Sequence, residues 1–141
     1  GTAAHRGVDA DTEETAIDAV NENAKRLSQK TGAVVVVTGD TDIVTDGKTL
    51  YRVHNGHPMM KTVTGSGCQL SALLGAYVTA NPEKTLQAAL AAVCAIGLSG
   101  EIAHERLGPL DGNASYRNYI IDAIYNLTPG ALEKGAKYDI D

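Results

Sequence analysis

The sequence predicts an α/β fold on three observations. Ala33-Val34-Val35-Val36-Val37-Thr38 is a β-branched run without polar alternation, the pattern of a strand buried on both faces of a sheet. Asp46-Gly47-Lys48 separates two further strand-like segments, and most of the remaining chain is apolar at helical spacing. With 141 residues, the chain has about the length of one domain and can bury a core. Hydrophobic residues make up 43% and charged residues 21%, which excludes a disordered chain, and the sequence reads as holding no apolar run long enough to cross a bilayer. Six Tyr but no Phe or Trp leave the core to Ala, Val, Ile and Leu, and such small side chains favour closely packed helices. The net charge is −5, with acidic residues outnumbering basic ones on both sides of Leu70. Nucleic acid is therefore not an expected partner, and neither is a membrane.

From the N-terminus, Arg6 to Ala10 reads as a short extended piece. Asp11 and Glu14 form a capping-box pattern that opens a helix ending near Gly32. Ala16, Val20, Ala24 and Leu27, with Ile17 beside them, are its predicted inward face. The valine run follows, and its end at Thr38-Gly39-Asp40 is where α/β sheets present ligand-binding groups. Asp42–Thr45 and Thr49–His54 flank the Asp-Gly turn as an antiparallel pair. Asn55 to Gly67 reads as loop, then Cys68 to Val78 as helix, stopped by Asn81-Pro82. A long Ala-rich helix from about Glu83 to Arg106 is apolar at Leu86, Leu90, Val93, Gly97 and Ile102 and is expected to be largely buried. Ser115 to Leu127 reads as amphipathic helix with Tyr116, Tyr119, Ile120, Ala123 and Leu127 inward. Thr128-Pro129 starts a last short helix by N-cap and first-turn proline.

The sharpest chemical feature is Thr64-Gly65-Ser66-Gly67-Cys68, which opens directly into an apolar helix. Glycines let backbone N–H groups turn toward a ligand, and the helix N-terminus adds partial positive charge, so Gly65, Ser66 and Gly67 form a candidate anion hole. The Gly-Lys-Ser/Thr ending of a P-loop is absent. In the first helical turn, Cys68 occupies a setting that favours a thiolate, so it is a candidate base or nucleophile. With His54 and His57 upstream, a Cys/His hydrolase is a rival reading of the same residues. Cys94 lies among apolar residues, and both cysteines read as thiols of a reducing cytoplasm. Asp40 is a lone carboxylate after a strand, too little for a dedicated metal site, so no residue is assigned to metal.

The valine-rich strand ending Thr38-Gly39-Asp40, the hairpin, His54-Asn55-Gly56-His57 and Thr62-Val63-Thr64-Gly65-Ser66-Gly67-Cys68 together resemble the hydroxyethylthiazole kinases, the thiamine-salvage branch of the ribokinase-like superfamily. The resemblance runs over essentially the whole chain and includes Arg6-Gly7-Val8-Asp9. Ribokinases usually carry Gly-Ala-Gly-Asp at the anion hole, whereas these kinases place Cys where the Asp stands. It implies a ribokinase-like three-layer α/β/α fold, of which residues 1–141 are the C-terminal portion: a β-hairpin followed by several helices. It also implies a cytoplasmic homotrimer that uses ATP and Mg²⁺ to phosphorylate the primary hydroxyl of hydroxyethylthiazole. Thr38 then matches an ATP-contacting Thr, Gly65 the glycine that touches the thiazole, and Cys68 the catalytic position. Family members are about twice as long, so the Mg²⁺ ligands and the main thiazole pocket are expected in an N-terminal portion absent from this chain. Gly1 begins the sequence without Met or a signal-peptide pattern, which fits a cut or processed end. A hydroxymethylpyrimidine kinase and a non-catalytic nucleotide-binding fragment are the alternatives.

Overall fold

A computed structural model describes the backbone from Gly7 and the side chains from Ala16, in both cases to Asp141. Helix α1 (Gly7–Thr31) leads into strands β1 (Val35–Val37), β2 (Asp42–Thr45) and β3 (Leu50–Val53). Helices α2 (Ser66–Ala80), α3 (Thr85–Glu105), α4 (Asn113–Asn126) and α5 (Pro129–Gly135) follow, and strand β4 (Tyr138–Ile140) is last. The sheet runs β1-β2-β3-β4, antiparallel throughout. Its register aligns Val36, Val44, Tyr51 and Ile140 across the four strands. Strand side chains alternate between faces, so Val36, Val44, Tyr51 and Val53 point to the side of α3, while Ile43 and Leu50 point to the side of α1. Helices therefore cover both faces, the three-layer arrangement expected.

The hairpin forms as predicted. Gly47 has φ 87°, a conformation that disfavours any side chain, and Asp46 Oδ1 accepts the N–H groups of Lys48 and Thr49 at 2.9 and 2.8 Å. These bonds hold the Asp46 carboxyl below its usual range. The last helix is capped as its sequence requires, with Thr128 Oγ1 accepting from Ala131 N–H at 3.2 Å.

Several expectations are corrected. Gly7 to Ala10 are helical rather than extended, because nothing in Val8-Asp9-Ala10-Asp11 interrupts a helix; Arg6 and the capping side chains of Asp11 and Glu14 lie outside the described residues. The inward face of α1 is Asn21, Ala24 and Ser28, whereas Ile17, Val20 and Leu27 are exposed. Ser28 is drawn in by the turn into β1, where its hydroxyl donates to Ala33 O at 2.6 Å. The strand in the valine run is three residues long and half-buried, since among the described residues β1 is at the sheet edge and pairs with β2. Ile102, expected inward on α3, is exposed. A 3₁₀ turn occupies Pro58–Thr62 within the expected loop, and α2 starts at Ser66 instead of Cys68. The segment Pro82–Glu105 is long and apolar enough to cross a membrane, contrary to the sequence reading. In this fold 72% of its apolar window is buried and α3 is the core helix.

Core packing explains why α3 can be so small-featured. Val93, Cys94 and Ile96 share one buried cluster with Val44 and Val53 of the sheet and Tyr116 and Ile120 of α4. The Tyr116 hydroxyl, fully buried, donates to Gly100 O at 3.0 Å, and burial pushes its pKa up to about 12. Gly97 and Gly100 admit the segment that follows β3. A Cβ on Gly97 would lie 2.7 Å from Asn55 Cβ, and one on Gly100 would run into the Met60 thioether.

Candidate active site

A cleft of about 530 Å³ opens where the ends of β1 and β3 meet the start of α2. Thr38 and Asp42 contribute from the sheet, the 54–57 segment from the loop after β3, and Ser66 and Gly67 from the first turn of α2, with Gly97 among the lining residues. Thr38 and two of the three predicted anion-hole residues are thus brought to one cavity by elements 28 residues or more apart in sequence. Gly65 and Cys68 belong to the same helix start without lining the cavity; Cys68 is exposed.

The glycine loop opens α2 without a side-chain cap. Gly65 is the N-cap with φ 94°, in the left-handed region, and nothing lies within 4 Å of where its Cβ would be. Its carbonyl accepts the first intrahelical bond, from Gln69 N–H at 3.0 Å. A glycine cap has no side chain to occupy the first-turn amides, so the N–H groups of Ser66, Gly67 and Cys68 keep their donor capacity at the positive end of a 15-residue helix. Ser66 and Gly67 thus stay candidates for an anion site on the general chemistry of helix N-termini.

The histidines have other employment. His54 Nε2 meets Asp139 Oδ2 at 2.8 Å. His57 caps the 3₁₀ turn, its Nδ1 accepting from Met59 N–H at 3.2 Å, and its ring stacks on His104 with centroids 3.5 Å apart. Neither of these contacts engages Cys68. Cys94 is buried; burial first and the Asp42 carboxylate second push its thiol up to about 11, which favours the protonated form at neutral pH.

Two carboxylates line the cleft. Asp40 is exposed and paired with Lys61. Asp42, which sequence reasoning passed over, is partly buried, and the desolvation raises its pKa although Gly39 N–H donates to its Oδ1 at 2.9 Å. Among the described residues no three His, Cys, Asp or Glu side chains come together as a metal site. One carboxylate held by a lysine and one engaged by an amide do not fit Mg²⁺, which wants open oxygen ligands.

Comparison with known proteins adds identity to this geometry. Residues 1–130 match the hydroxyethylthiazole kinase family. The hydroxyethylthiazole kinase of Clostridium acetobutylicum is 46% identical over 99% of this chain and 52% of its own length. That of Granulibacter bethesdensis is 44% identical over 94% of this chain and 46% of its own. The solved structure of the hydroxyethylthiazole kinase protein from Pyrococcus horikoshii OT3 superposes with a TM-score of 0.80 at 28% identity, covering 92% of this chain and 49% of that one. The chain spans about half the length of the curated relatives it matches.

Proposed function

The chain belongs to the hydroxyethylthiazole kinase family, and on that premise we propose that it supplies the glycine-loop side of an enzyme transferring the γ-phosphoryl group of ATP to the primary hydroxyl of hydroxyethylthiazole. The phosphate ester formed is the thiazole unit for thiamine phosphate. The observation that carries the proposal is the shared cleft of Thr38 with Ser66 and Gly67, below a helix start whose cap is a bare left-handed glycine.

Phosphoryl transfer needs positioning and charge stabilisation more than covalent help from the protein. The amides from Ser66 to Cys68 supply the donors for the charge spread over the transferring phosphoryl oxygens. Thr38, at the end of β1, offers a hydroxyl to ATP, and Gly65 leaves room for the thiazole to approach the helix start. Cys68, exposed at that start, takes the proton of the substrate hydroxyl late in the transfer as a weak base. Mg²⁺, when bound, neutralises phosphate charge; its ligands are assigned to residues outside this chain, since Asp40 and Asp42 do not fit it.

The edge of β1, without a partner strand among the described residues, and the exposed apolar row Ile17, Val20 and Leu27 support association with an N-terminal portion of the same enzyme. The small exposed residues Ala72, Gly75 and Ala76 of α2 support close approach of a neighbouring subunit in a homotrimer. Free Cys68 and Cys94 support a cytoplasmic location.

The test is thiazole-dependent ADP formation by this chain alone and mixed with the N-terminal portion, with activity expected only in the mixture. There, Cys68→Ser is expected to keep ATP and thiazole binding and lower kcat by about ten- to a hundredfold. Total loss with binding intact would show an obligatory thiolate. ATP binding with no alcohol-dependent ADP release would leave a nucleotide-binding fragment in place of a kinase.

A further inference from the structure

The wall of the cleft formed by Asn55 and Gly56 is tied from behind to Glu101, Gly135 and Lys137, and Glu101 alone bonds both residues. Asn55 is buried, and its amide is fully engaged: Nδ2 donates to Glu101 Oε1 at 3.0 Å and to Gly135 O at 2.9 Å, while Oδ1 accepts Lys137 N–H at 2.8 Å. Gly56, with φ 126°, donates its N–H to the same Glu101 Oε1 at 2.9 Å. The other oxygen, Oε2, accepts from Lys137 Nζ at 2.6 Å. Glu101 is the only charged residue between Thr85 and Ala103 of an otherwise apolar core helix, a place where a carboxylate is costly unless each oxygen is satisfied. Burial works to raise its pKa, yet the bonds from Lys137, Gly56 and Asn55 outweigh that and hold it below the ordinary value.

Two further features bear on how the backbone is set at this point. A left-handed Gly56 has no intrinsic reason to choose one conformation among the many glycine allows. Beneath it, the Cβ-free face of Gly97 admits the Asn55 backbone to contact with α3, one helical turn from Glu101. We infer that Glu101 is a positioning residue for the active site: it fixes Asn55 and Gly56, and so the wall of the cleft that also contains Thr38, Ser66 and Gly67. What the cleft binds rests on the kinase reading; the fixing of the wall does not. Gly135 and Lys137, which complete the cage around Asn55, lie beyond the 1–130 span of the family match.

Glu101→Ala, Glu101→Gln and Lys137→Met, made in the intact enzyme, test this by amide hydrogen exchange and steady-state kinetics. Glu101→Ala is expected to speed exchange at residues 54–57 by about tenfold or more with α4 unchanged, and to raise the substrate KM about tenfold with kcat within about threefold. Glu101→Gln keeps an acceptor for Gly56 and Asn55 and is expected to restore both readouts to within about threefold of wild type. Lys137→Met removes only the ion pair, and exchange at 54–57 is expected to stay within about twofold. Where Glu101→Ala does not fold, Glu101→Asp withdraws the carboxylate by one methylene and takes its place in the comparison. Unchanged exchange at 54–57, or a fall in kcat at constant KM that Gln does not rescue, would overturn the inference. A wild-type enzyme without thiazole-dependent ADP formation would remove the kinase reading, while exchange at 54–57 would still decide the role of Glu101.

Discussion

On one side of the sheet α3 is buried from Ala88 to Gly100 with only Ala91 partly open, while on the other α1 leaves Ile17, Val20 and Leu27 between 41% and 52% exposed. Apolar side chains are present on both sides; what differs is the supply of neighbours. Helix α3 has α2, α4, α5 and the sheet around it, whereas among the described residues α1 packs chiefly on β1 and β2, and β1 has a partner along one edge. The closed side explains how a chain without Phe or Trp makes a dense core, through Ala and Gly at the contacts and one buried Tyr. On the open side, apolar surface is left for another element to cover.

The comparison breaks most readily on paired isoleucines. Ile120→Ala, at a fully buried position of α4, is expected to cost about 2–5 kcal/mol, and Ile17→Ala under about 1 kcal/mol. Equal shifts in the urea midpoint would erase the distinction between the two sides. Gly97→Ala comes next. Its Cβ would meet backbone and Cβ atoms of Asn55 that cannot swing aside, for about 1–3 kcal/mol of destabilisation by thermal melting. Tyr116→Phe keeps the ring and leaves Gly100 O without its donor, a loss of about 1 kcal/mol by the same measurement.

The smallest effect is in the pH dependence. The folded-state pKa of Glu101 lies below its ordinary 4.5, so its contribution is complete above that value and is lost as pH falls through the lowered one. Wild type and Glu101→Gln should therefore converge in stability on acidification below 4.5, and urea midpoints at a series of pH values would show it. A gap that widened in acid would have the sign wrong.

What the sequence discloses follows from how local each cause is. The Asp-Gly hairpin and the Thr128-Pro129 helix start are written in adjacent residues and form as read, and the glycine loop opens α2 two residues earlier than read. The buried face of α1 is not local: Asn21 and Ser28 are inward because the turn at Ala33 and the sheet demand it, against the hydropathy of Ile17 and Leu27. Strand β4 is three exposed residues whose existence depends on pairing with β3, 87 residues earlier, and no periodicity announces it. At the site, Thr38 and Ser66-Gly67 are legible from strand-end and helix-start chemistry. Glu101 is missed because a charge in a helix reads as solvent-facing. The available signal is its solitude, a single carboxylate in nineteen residues of apolar helix one turn after Gly97.

The pairing of β4 with β3 also sets an order of events. Tyr138–Ile140 reach back to residues 51–53, with Lys137 O accepting His54 N–H at 2.8 Å and Asp141 meeting Arg52 at 2.6 Å. Contacts of such long range are slow to close and impossible before the later residues have been synthesised. A nascent chain arrested before Gly135 would already carry the hairpin and the glycine loop, with the Asn55 wall still lacking two of its three anchors. Closure of the cleft wall therefore waits on Gly135 and Lys137, and a chain truncated before them would keep its hairpin and glycine loop with a slack wall at Asn55.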